Sequence, residues 1–167
     1  MNQSPLTELL HPHLYQIDSL DDEVRADTRC GELLQHFFKH QCDRKKLPAQ
    51  QAASLAYGAD YFLREFLIGE LRHNILRPRP GAVRVFAGHW YIVRNLEPNM
   101  KELEGFLDGL VPFYEFCRRM EAVDAGIVEQ LAEEAEERDY FRERIESFLA
   151  IEGDGFEAWQ RECPLIR

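Results

Sequence analysis

Between residues 71 and 96 the chain carries Arg72, Arg77, Arg79, Arg84 and Arg94 and no acidic residue. Trp90 and Tyr91 fall in the same stretch. Guanidinium forks match carboxylate and phosphate geometry bidentately. Aromatic faces can stack on a planar ligand. Arg77, Arg79, Arg84, Trp90, Tyr91 and Arg94 therefore form the candidate ligand-binding set, suited to an acidic protein surface or a phosphorylated ligand. The structural alternative is internal pairing. Residues 128–152 hold nine acids against three arginines, so partners for each guanidinium are plentiful.

A second set of residues could hold a metal. His36 and His40 stand one helical turn apart, the spacing at which two imidazoles can share a zinc ion. Cys30 and Cys42 flank them without a Cys-x-x-Cys. Glu70 and His73 form a Glu-x-x-His unit of the kind used in carboxylate-bridged di-iron bundles. That chemistry needs two such units and two further glutamates, and the other match, Glu8 to His11, runs into Pro12. No cofactor is otherwise expected. Nucleophile chemistry lacks a framework, because neither a Gly-x-Ser-x-Gly nor a phosphate-binding glycine loop is present.

Composition narrows the rest. At 167 residues the chain reads as a single helical domain, 1–167, with residues 1–18 expected to be loosely ordered. A chain of that size buries roughly 70% of its unfolded surface and needs no disulfide to fold. The four scattered cysteines read as reduced thiols. No apolar run approaches the ~20 residues needed to span a bilayer, and the N-terminus lacks the pattern of a secretory signal. A cytoplasmic location is expected. A formal charge of −10 argues against general nucleic-acid binding. The oligomeric state stays open, a dimer included.

The elements that must position these residues are helices. The expected architecture is mainly α, an irregular bundle of four to six helices with long members near 20–41, 48–76, 99–120 and 125–151. Ser19 caps the first, with Asp21, Asp22 and Glu23 in its opening turn. Ala52, Ala56 and Ala59 give the second a small-residue face for close approach. Arg77-Pro78 and Arg79-Pro80 are expected to end it. Asn99 and Glu102 resemble a capping box for the third, in which Pro112 predicts a kink or break. Phe156 and Trp159 mark a short final helix. At 82–95, Val83, Val85, Ile92 and Val93 with a central Gly88 predict a small β-hairpin. The competing reading is a short helix, because Val83, Phe86, Ala87 and Trp90 also match helical spacing.

Residues 103–127 combine an apolar helix, the pair Phe113-Tyr114 and a turn from Glu121 to Asp124. They resemble a piece of the helical core-binding domain that precedes the catalytic domain of tyrosine recombinases. The resemblance covers about 25 residues and implies a small helical DNA-contacting or scaffold-derived module. The leading expectation is a different one: a non-enzymatic interaction or regulatory protein that meets an anionic partner through residues 71–96. A metal-dependent helical-bundle enzyme, di-iron or zinc, is the other alternative.

Overall fold

A computed structural model describes residues 3–165, and among them there are helices and no strand. The helix α1 (Leu6–Leu9) and a 3-10 turn (Pro12–Tyr15) lead into α2 (Leu20–Asp43). Leu9 and Tyr15 are buried, and the Tyr15 hydroxyl donates to the Leu9 carbonyl at 2.7 Å. Ser19 Oγ accepts from the Asp22 N–H at 3.1 Å, so the cap read from the sequence forms. Cys30, Leu33, Leu34 and Phe37 then face the core.

The second long helix, α3, covers residues 49–70 and ends six residues short of the expected Leu76. From Tyr61 onward it is π-helical, with Leu71 N–H bonded back to Phe66. Its stop is not the proline pair. Arg72 turns left-handed at φ 53, and the His73 N–H closes on the Leu67 carbonyl at 2.8 Å. An arginine in that conformation carries no sequence signal, unlike the glycine or asparagine that usually ends a helix.

The hairpin expected at 82–95 does not form. Residues 82–94 are one helical run, α4, with π-helical turns at Phe86–Trp90. The competing helical reading from Val83, Phe86, Ala87 and Trp90 is the one that forms; with Tyr91 and Ile92 buried as well, the helix is apolar on nearly every side, which left its periodicity ambiguous. Its N-terminus is secured from a distance. Glu134 accepts from the Gly81 and Arg84 N–H groups, both at 3.0 Å, an inserted carboxylate that complements the helix dipole. Gly88 serves close approach instead of a turn. A Cβ there would stand 3.3 Å from both Cys163 Sγ and the Tyr140 ring.

Helix α5 (Met100–Arg119) runs through Pro112 without a break. Asn99 Oδ1 caps it from the Glu102 N–H at 2.9 Å. The reciprocal half of the capping box is replaced by Tyr91. Its hydroxyl accepts from the Asn99 N–H at 3.0 Å and donates to the Glu102 carboxylate at 2.9 Å. Helices α3 and α5 cross at backbone contact, as the small-residue face predicts. A Cβ on Gly109 would fall 2.2 Å from the Leu55 carbonyl oxygen, and one on Gly58 2.4 Å from that of Gly105.

The single helix expected at 125–151 is two, α6 (Ala125–Ala135) and α7 (Arg138–Leu149). The break falls in the glutamate run and lets two of its carboxylates reach α4, Glu134 at the N-terminus and Glu137 at Arg84. Helix α8 (Phe156–Glu162) docks on α7 through Trp159. There the buried Arg144 donates to the carbonyls of Gly88 and Trp159, both at 2.8 Å, with its guanidinium 3.7 Å over the Trp159 ring. None of these helices is long and apolar enough to cross a membrane.

Candidate functional site

The six residues proposed for ligand binding are not brought to one place. Trp90 and Tyr91 belong to the core, at 3% and 0% exposure. Trp90 is packed among Tyr61, Phe66 and Phe86, and its indole Nε1 is buried without a partner. Neither ring offers a face for a ligand to stack on. Burial and the nearby Glu102 push the Tyr91 hydroxyl pKa well above its ordinary value. Arg94 lies 5.1 Å from the Trp90 ring at the end of α4.

Arg84 faces the other way along α4. It pairs with Glu137 at 3.0 Å and lies 4.2 Å over the Tyr140 ring. The internal clamp that the acidic stretch made available therefore operates at this arginine. Burial raises the Tyr140 hydroxyl pKa, while Arg84 pulls against that rise.

Arg77 and Arg79 are arranged differently. Both are exposed, and Pro78 between them is buried. The proline is thus an anchor that fixes the two guanidinium stems on the outside of the loop 71–81. The loop itself is held by Asn74, whose amide donates to the Pro12 carbonyl at 2.7 Å and accepts from the Leu76 N–H. Arg77 Nη1 donates to the carbonyls of Leu76 (2.8 Å) and Ala122 (3.1 Å), neither of which neutralises its charge. Glu121 and Asp124 line the same concavity without reaching ion-pair distance of it. Arg79 makes no ion pair among the described residues, and its field helps lower the His73 pKa after burial has done most of that work.

The residues read as metal ligands are also apart. His36 Nε2 meets the Ser4 carbonyl at 3.0 Å. His40 stacks obliquely on Phe116 at 5.0 Å. Glu70 is half-buried at the end of α3, and His73 Nδ1 is buried without a partner in the loop beyond it. Among the described residues no three His, Cys, Asp or Glu side chains are grouped to hold a metal ion. The four cysteines are free thiols, Cys30, Cys117 and Cys163 among them buried. Burial raises the Cys117 and Cys30 pKa values, which disfavours the reactive thiolate.

No family model matches the chain, and no curated protein or solved structure matches it either. The recombinase-like residues 103–127 include the buried pair Phe113 and Tyr114, whose hydroxyl donates inward to the Ile75 carbonyl at 2.8 Å.

Sequence reasoning passed over Glu134 and Arg144. These two polar side chains, at 7% and 3% exposure, hold α4 in position. Glu134 is one of the nine acids of residues 128–152, counted there only as a possible partner for a guanidinium. Its heptad-like distance from Ile127 and its neighbour Ala135 on the inner seam were the available signals. It also missed Lys45 and Arg119, which stand beside His40 although 74 residues separate them in the chain.

Proposed function

We propose that the protein is a non-enzymatic interaction protein that docks an acidic protein segment against Arg77 and Arg79. The observation that carries this reading is the alternation of a buried Pro78 with two exposed arginines that no acid among the described residues neutralises. A guanidinium held outward by a fixed backbone gives up less conformational entropy on binding than one on a free loop. Two such forks flanking a proline suit a run of carboxylates. Arg84 and Arg94 contribute through the field of the surface, since each already meets a partner within this chain.

The test is capture of a fluorescein-labelled glutamate decapeptide, read by anisotropy. Arg77→Glu/Arg79→Glu is expected to weaken binding more than about tenfold, equivalent to about 1.4 kcal/mol, with the thermal midpoint unchanged. Binding should also weaken steeply with salt. Equal binding by the double variant would refute the reading. The metal-enzyme alternative requires a ligand group, which the described residues do not supply. The DNA-contacting alternative has no structural observation in its favour.

A further inference from the structure

An open trough of about 490 Å³ lies where the C-terminal turns of α2 and α5 meet residues 44–47. Its floor is apolar, made by Leu47, Leu55, Val111, Pro112 and Phe116. Its rim is cationic. His40, Lys45 and Arg119 line it, and Arg44 stands close enough to act on the same imidazole. Arg44, Lys45 and Arg119 form no ion pair among the described residues. Glu115 in the wall is occupied by Arg118, at 2.8 Å. Three unneutralised cations thus converge in a chain of net charge −10.

The plain account is that cations complement the negative ends of α2 and α5, worth about 0.3–1 kcal/mol each. That explains a basic residue at either end. It does not explain an apolar trough beneath them, nor a His40 Nε2 shut away from solvent with no partner. Burial, then Arg119, Lys45 and Arg44, hold the His40 pKa below its ordinary value. The volume lies within the range of about 300–1,000 Å³ that small-molecule sites occupy, and an apolar floor with a few convergent charges is their usual composition.

We propose that this trough binds a small apolar carboxylate, with its tail on the Leu55, Val111 and Pro112 floor and its carboxylate between Lys45 and Arg119. An anion there weakens the field of the cations at His40. The imidazole then keeps its proton to higher pH, and binding takes up a proton. Arg44, Lys45, Arg119 and Glu115 are the charged groups that surround the trough, and His40 is the histidine among them. Affinity therefore rises as pH falls through the histidine range, and levels off only below the lowered pKa of unliganded His40.

The experiment compares octanoate with octanol by titration calorimetry on the full chain. Octanoate is expected to bind at least about tenfold more tightly than octanol, one charged contact's worth of discrimination. Lys45→Glu/Arg119→Glu removes that preference and leaves octanol binding in place. Arg77→Glu/Arg79→Glu leaves it intact, so this site and the acidic-segment site fail separately. In wild-type protein, octanoate moves the NMR titration midpoint of His40 upward. Octanol binding as tightly as octanoate, no octanoate binding at millimolar concentration, or an unmoved His40 midpoint would each overturn the proposal. Because the comparison of the two probes uses wild-type protein, it decides the matter even if the charge-reversed variant does not fold.

Discussion

Residues 71–96 and the trough beside His40 are both basic, but they are built in opposite ways. The first is dense along the chain and sparse in space. Its α4 portion carries Arg84 and Arg94 ten residues apart, roughly 15 Å along a helix axis, and each meets its own partner. The second is invisible along the chain. His40 and Lys45 come from one end of the sequence and Arg119 from another, and packing gathers them around one concavity. A run of like charge in sequence is thus spread out by a helix, whereas cations that end two neighbouring helices are concentrated. Trp90 and Tyr91 look available beside their arginines but are consumed by the core.

The strongest way to break this contrast is at the α3–α5 crossing that supports the trough. Gly109→Ala places a methyl 2.2 Å from the Leu55 carbonyl oxygen and 2.8 Å from the Ala59 nitrogen. Both are backbone atoms, so the helices must separate. The expected loss is about 3 kcal/mol, read from urea denaturation, with octanoate binding impaired. Gly105→Ala is the control. A Cβ there meets nothing within 4 Å, and alanine gains up to about 1 kcal/mol in a helix interior. Similar stability for the two variants would mean that the crossing is looser than its geometry.

The corresponding blow to residues 71–96 is Arg144→Ala. It strips the donors from the Gly88 and Trp159 carbonyls and the cation from the Trp159 ring. Bonds from a charged donor contribute about 1.5–3 kcal/mol, so a loss near the top of that range is expected. Faster amide exchange throughout α4, with α2 unaffected, would locate the damage. Uniform loss of protection would instead show that α4 unfolds only with the whole chain.

Local signals made much of the fold legible. Ser19 and Asn99 accept the expected backbone donors at two helix starts, and Asp124 does the same at a third. The apolar spacing of α2 and α5 gave their buried faces, and the alanine face of α3 anticipated its close packing. What was illegible depends on distant partners. The helical state of 82–94 rests on Glu134, fifty residues away from Arg84. Periodicity fails there because α4 is buried on both its valine and its aromatic sides. Arg72 stops α3 in a left-handed conformation that no residue preference announces. The site was legible only in part. Proline spacing marked Arg77 and Arg79 as held outward, but nothing local told Arg84 from Arg79, since the acid that pairs Arg84 comes from another helix.

Glu134→Ala is the next smaller test. It leaves the Gly81 and Arg84 N–H groups without their shared acceptor. Loss of a capping side chain costs about 1–2 kcal/mol, and the damage should appear as fraying at residues 81–85. Glu134→Asp keeps the charge but shortens the reach, and is expected to recover only part of the loss. If both variants match wild type in denaturation, the carboxylate is incidental and α4 is held by packing alone.

The smallest effect is the most informative about Arg84. Its side chain is 46% exposed and that of Glu137 is 33% exposed, so the pair is screened and a coupling of about 0.5 kcal/mol or less is expected from a double-mutant cycle. The cycle uses Arg84→Ala, Glu137→Ala and the double variant. A coupling that weak leaves Arg84 competent to exchange Glu137 for an incoming carboxylate, because the partner need only match a bond of little net value. The anion-binding surface would then extend from Arg79 along α4. A coupling above about 1.5 kcal/mol, the strength of a desolvated charged bond, would instead make Arg84 a fixed part of the α4–α7 contact. The cation–π contact with Tyr140 allows the two cases to be separated further. Tyr140→Leu should raise the coupling if the ring competes with Glu137 for the guanidinium, and lower it if the ring holds the guanidinium in place for that carboxylate.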